Sequence, residues 1–139
     1  EDRSAVGIFG WGEGGLLALY SAALEPRFKV AGVSGYFRKD RLLWREPLDR
    51  NIFNLVRWFG DAEIASLITP RTLLIEAAPG PEGVIASPGG ANGVLSSPPP
   101  EEVRAEFDRL VALSEGLQPR TSRETMQSSP PSSAPWALM

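Results

Sequence analysis

The chain of 139 residues carries 14 basic and 17 acidic side chains, and a net charge of −3 offers no strong field to attract nucleic acid or an acidic membrane. Cysteine and histidine are both absent, which excludes disulfides, thiolate nucleophiles, zinc–thiolate sites and any Ser-His-Asp relay completed from its own residues. No apolar run approaches the roughly 20 residues needed to span a bilayer.

In chain order, Ser4 to Phe9 is short, apolar and ended by glycine, the pattern of a parallel strand buried on both faces. From Glu13 to Leu24, Leu16, Leu17, Leu19, Tyr20 and Ala23 return at helical spacing until Pro26 stops the helix. Phe28 to Ser34 is a second apolar run, so a β-α-β unit with two parallel strands is expected. Residues 38–68 read as helical pieces, with Leu48, Ile52, Leu55, Val56 and Phe59 on one face and Ile64, Leu67 and Ile68 on another. Trp44, Phe53, Trp58 and Phe59 are expected on the packing side of these helices. Twelve of the basic residues are arginines, five of them between Arg38 and Arg57, and they read as a solvated helical face.

Thr69-Pro70-Arg71 breaks the pattern, and Thr72 to Ala78 reads as a third buried strand. The segment from Pro79 to Pro100 holds five glycines and six prolines, and is expected to be a long flexible connection. Glu101 to Gly116 is an amphipathic helix with Val103, Phe107, Leu110 and Val111 as its stripe, acids in the first turn and Gly116 as its stop. Residues 117–139 are polar and rich in proline and serine, and are expected to be disordered. The start at Glu1 leads to the expectation of further sequence upstream.

The stretch VGIFGWGEGG carries two overlapping glycine patterns. Gly10, Gly12 and Gly15 satisfy G-x-G-x-x-G between a strand and a helix, the context of a dinucleotide site. There, Glu13 would set a carboxylate beside the phosphates, and the end of the second strand offers Ser34-Gly35-Tyr36 with Arg38 and Lys39 instead of an acid for the ribose, which leaves an NADP-like reading. The same residues supply the outer glycines of the nucleophile elbow G-x-S-x-G, with Gly12 where the serine would stand. A central residue at positive φ with small neighbours explains these glycines.

The segment IFGWGEGGLLALYSAALEPRFKVAGVSGYF resembles the elbow strand, elbow helix and following strand of the dienelactone hydrolase and acetyl-xylan-esterase-like branch of the α/β-hydrolase superfamily. DAEIASLITPRTLLIEAAPG, Asp61 to Gly80, resembles the same branch's helix, its proline turn and the strand that carries the catalytic acid. The resemblance covers about the first 80 residues and implies a partial α/β-hydrolase-like three-layer sandwich, with a short parallel sheet and flanking helices. It implies further strands before the elbow strand and one between the second and third strands found here, so apolar edges should stay uncovered.

By the same resemblance the nucleophile position falls on Gly12, which cannot attack, and one oxyanion-hole donor on the backbone N–H of Glu13. The acid falls on Glu82, or on Glu76 as the alternative, and the base histidine has no counterpart. Glu76 in an apolar strand would need a cation or sit at the strand's end, where an arginine of the 38–57 segment could pair with it. Three readings follow: a hydrolase-related domain without the serine mechanism, a non-catalytic module that holds a small ester or sugar-derived ligand, and a dinucleotide-binding domain. No metal, no nucleic acid partner and no membrane are expected.

Overall fold

The structure is a computed structural model that describes residues 6–39, 45–47, 50, 52, 54–88, 90, 92–117 and 136–138. Strand β1 (Val6–Trp11) leads through Gly12 into helix α1 (Glu13–Leu24), and β2 (Phe28–Ser34) returns parallel to β1. After short helices α2 (Leu55–Trp58) and α3 (Asp61–Ser66), β3 (Thr72–Glu76) adds to the other side of β2, again parallel. Strands β4 (Gly83–Ile85) and β5 (Gly93–Leu95) form a separate antiparallel ribbon. Helix α4 (Pro100–Leu117) and strand β6 (Trp136–Leu138) complete the described chain, and the main sheet runs β1-β2-β3-β6 with β6 antiparallel.

The mixed α/β class therefore holds, with three parallel strands at its centre. Several expectations need correction. β2 pairs with β3 directly, so no strand lies between them. β1 starts at Val6 and continues to Trp11; Ser4 and Ala5 lie outside the described residues. β3 ends at Glu76, before Ala77 and Ala78. The proline- and glycine-rich connection carries the β4–β5 ribbon, because Gly83-Val84-Ile85 and Gly93-Val94-Leu95 are short enough to pair across it. Helix α4 runs through Gly116 to Leu117, so that glycine is not its stop. Of the tail expected to be disordered, residues 118–135 lie outside the described residues, and Trp136–Leu138 pairs with Leu74–Glu76. Trp44, Leu48 and Phe53 lie outside the described residues, as does the side chain of Val56.

Alternation along the strands separates two sheet faces. Ile8, Ala31, Val33, Leu73 and Ile75 belong to one core with Leu19 and Ala22 of α1, Ala62, Ile64 and Ala65 of α3, and Val103 and Leu110 of α4. The opposite face carries the register rows Gly7–Val30–Thr72, Phe9–Gly32–Leu74 and Trp11–Ser34–Glu76. Among the described residues no helix covers it, and the third layer of a three-layer sandwich is not formed. β1 is consequently not buried on both faces: Phe9 is 69% and Trp11 53% exposed.

Helix α1 buries Gly15, Ala18, Leu19 and Ala22, a strict i, i+3, i+4, i+7 stripe of mostly small residues. Leu17 and Leu24, part of the larger apolar set in this segment, point outward. The cause is close approach: a Cβ on Gly15 would lie 3.0 Å from the Ser34 carbonyl oxygen and 3.1 Å from Tyr36 Cβ. Trp58 and Phe59 are also exposed, contrary to the packing role expected of them.

A charged cluster clamps α4 to α3. Glu106, wholly buried, accepts the Ala62 N–H at 2.8 Å and two N–H groups of Arg109 at 2.9 Å. Arg109 also donates to both carboxylate oxygens of Glu63. Glu63 in turn accepts the Gly60 N–H at 2.7 Å, the half of a capping box in which the third helical residue reaches back; Gly60 has no side chain to supply the other half. Hydrogen bonds from Arg109 hold the Glu63 carboxyl below its ordinary value; partial burial opposes this shift, and the Gly60 N–H adds to it.

A carboxyl whose folded pKa is depressed contributes stability that is present above its unfolded value and lost as pH falls through the folded one. Urea midpoints of the wild-type chain should therefore decline once the pH drops below the ordinary glutamate value of 4.5. Glu63→Gln should show lower stability at pH 7 and a flatter acid limb; parallel curves for the two proteins would refute this account of the clamp. The uncovered apolar edge at β1 gives a second expectation: sedimentation should show concentration-dependent self-association of the purified chain, reduced by Phe9→Lys. A monomer at all concentrations would contradict it.

Candidate functional site

Gly12 joins β1 to α1 with φ 57° and ψ −117°, a conformation that strains any residue with a Cβ. Its N–H donates to the Ser34 carbonyl at 2.8 Å and its own carbonyl accepts from the Leu16 N–H at 3.2 Å, so the turn is locked to β2 and to α1. Gly10 is required as well, since a Cβ there would fall 1.8 Å from the Gly14 carbonyl oxygen. The turn opens at the carboxyl ends of the parallel strands, the edge where open α/β sheets place ligands.

The space in front of Gly12 is already filled. A Cβ at that position would lie 2.4 Å from Pro81 Cδ and 2.8 Å from Pro81 Cγ. Pro81 is held there by the contacts of the two residues before it. Gly35, at φ 63°, packs against Gly80 so closely that a Cβ on Gly80 would meet the Gly35 carbonyl oxygen at 2.4 Å. Ser97 Oγ accepts the Gly80 N–H at 2.9 Å, and the Pro79 carbonyl accepts the Trp11 indole N–H at 2.8 Å. Residues 79–81 thus form a strap across the rim of the sheet.

The carboxylates singled out from the sequence take three different positions. Glu13, in the first turn of α1, accepts from Arg50 Nη2 at 3.1 Å with its own side chain half exposed. Glu76 ends β3, and its Oε2 accepts the Ser34 hydroxyl at 2.6 Å; the pairing with an arginine of the 38–57 segment expected for Glu76 goes to Glu13 instead. Glu82 is exposed on the strap beyond Pro81, with no hydrogen bond or ion pair among the described residues. Gly12 and Glu76 are therefore joined at the rim through the carbonyl and the hydroxyl of Ser34, while Glu13 is held by Arg50 and Glu82 shares none of these bonds.

The arginines do not form a solvated face throughout. Arg38 is 7% exposed; its backbone N–H donates to Asp61 at 3.2 Å, and its guanidinium donates to Glu46 at 3.0 Å and to Ser96 at 3.2 Å. The Arg50 side chain is largely buried, while Arg57 stacks 5.3 Å from the Trp58 ring at the surface. Glu46 pairs with Arg38 through Oε1, but its Oε2 is shut off from solvent with no hydrogen-bond partner among the described residues. An unsatisfied buried acceptor costs about 1–3 kcal/mol.

These groups enclose a small polar cavity of ≈ 20 Å³ beside the turn, walled by Gly12, Arg38, Glu46, Arg50, Pro81 and Ser96 among others. Ser34, Arg38, Glu46, Pro81 and Ser96 were not singled out as site residues from the sequence. Only Ser34 and Arg38 left a signal there, as residues at and after the end of the second strand; the others arrive from distant segments. A second hollow of ≈ 370 Å³ between α1, α2 and α3 is mostly apolar, and Glu63, the carboxylate that lines it among the described residues, is already engaged by Arg109. Among the described residues no three His, Cys, Asp or Glu side chains are grouped to hold a metal, and no helix is long and apolar enough to cross a membrane.

Comparison of the chain with protein-family models, with curated proteins and with solved structures finds no match.

The crowding at Gly12 has a measurable consequence. Gly12→Ala should destabilise the chain by at least about 1–3 kcal/mol, the usual cost of a strained backbone conformation, with contact against Pro81 adding to it. Pro81→Gly should relieve the contact but not the φ, so a double-mutant cycle followed by denaturant melts should give a favourable coupling. Additive effects would mean that Pro81 does not occupy this space.

Proposed function

We propose that the chain is a hydrolase-related α/β domain that keeps the strand–turn–helix of an esterase without performing the serine reaction. The observation that carries this reading is the Pro81 ring seated where a side chain on Gly12 would project. A nucleophile elbow needs an open approach to its central residue and a proton acceptor within reach. Gly12 has no oxygen to offer, the approach is closed by the strap, and the sequence has no histidine to serve as base. Glu76 is engaged by the Ser34 hydroxyl, and Glu82, exposed beside Pro81, makes no hydrogen bond or ion pair among the described residues.

The second reading, a binding module, is favoured by one specific feature: the cavity beside Gly12 contains a buried carboxylate oxygen without a partner. The dinucleotide reading finds less support, since the Glu13–Arg50 pair stands at the start of α1, where the pyrophosphate would rest.

A fluorophosphonate probe tests the main reading. Neither the wild-type chain nor Gly12→Ser combined with Pro81→Gly should be labelled or turn over p-nitrophenyl acetate above background. Stoichiometric labelling of the wild type, or turnover by the double variant, would overturn it.

A further inference from the structure

The cavity beside Gly12 has a donor–acceptor pattern that only some ligands satisfy. One group lining it is Glu46 Oε2, an acceptor on a side chain that is only 9% exposed and lacking a partner among the described residues. Two guanidinium groups line the same cavity. Arg38 spends Nη2 on Glu46 and Nη1 on Ser96. Arg50, whose side chain is 10% exposed, spends Nη2 on Glu13, and a guanidinium carries five N–H donors in all.

An anion would satisfy the arginines but would face the carboxylate. An ammonium group would satisfy Glu46 but would be repelled by two guanidinium groups close by. A hydroxyl both donates and accepts, carries no charge, and is the size of the group that ≈ 20 Å³ admits.

We propose that this cavity is a hydroxyl-binding site for a small polyol, with one hydroxyl donating to Glu46 Oε2 and accepting from Arg50. The remainder of the ligand lies toward the strap, between Pro81 and Ser96, which both line the cavity. The proposal goes beyond the functional reading above and does not depend on it: labelling by a fluorophosphonate would overturn the reading of a domain without the serine reaction and leave this site standing.

The test is a titration of the isotopically labelled full chain followed by amide chemical shifts, with glycerol as the probe and acetate and methylammonium as charged counterparts. Glycerol should give saturable shifts at the amides of Gly12, Gly35, Arg38 and Ser96, and neither ion should saturate them. Glu46→Gln turns the orphan acceptor into a donor or displaces it, and should weaken glycerol binding about tenfold. Arg50→Met removes the opposing donors and serves if the first variant does not fold. A linear, unsaturating glycerol response, saturation by either ion at the same amides, or undiminished binding in a folded variant would each overturn the proposal. The three wild-type titrations decide even if neither variant folds.

Discussion

The bond from the Gly12 N–H to the Ser34 carbonyl is the constraint around which the rim is organised. It ties the end of β1 to the end of β2 at the point where the backbone must turn sharply into α1, and it forces Gly12 into a region closed to side chains. The close packing of α1 on the sheet follows from it. Gly15 is brought against Ser34 and Tyr36, so the face of α1 toward the sheet is built mostly from small residues with Leu19 among them, and Leu17 and Leu24 are turned outward. The same geometry leaves a hollow in front of Gly12, and Pro81 fills it.

That filling connects the rim to segments far away in sequence. Trp11 holds Pro79, Gly35 holds Gly80, and Ser97 holds Gly80 from the far side of the β4–β5 ribbon. Arg38 extends the arrangement by joining Asp61, Glu46 and Ser96. The result is a covered rim with a small polar interior where an open α/β sheet would present a crevice. The cavity enclosed there is ≈ 20 Å³, the size of one water-sized group.

Away from the rim, the Glu63–Arg109–Glu106 cluster solves a separate problem. Helix α3 has six residues and a glycine at its N-cap, so its first N–H groups need acceptors from elsewhere. Glu63 takes the Gly60 N–H and Glu106 takes the Ala62 N–H, while Arg109 neutralises both carboxylates. The apolar contacts of Val103 and Leu110 then hold α4 in the shared core.

Local pattern alone determined a good part of this molecule. The apolar runs at Phe28–Ser34 and Thr72–Glu76, the helix from Glu13 to Leu24 and the amphipathic helix after Pro100 follow from periodicity and from proline and glycine as stops, because those signals act within one or two turns of chain. The need for glycine at position 12 was equally legible, as was the absence of histidine and cysteine. Only the tertiary structure decided which sheet face is covered, that β1 forms an exposed edge, that Pro81 sits over Gly12, and that Arg50 chooses Glu13 while Ser34 takes Glu76. The last three of these join residues 69, 37 and 42 positions apart. A spacing pattern records what a residue repeats with nearby, and carries no term for the distant group that the folded backbone brings within hydrogen-bonding reach.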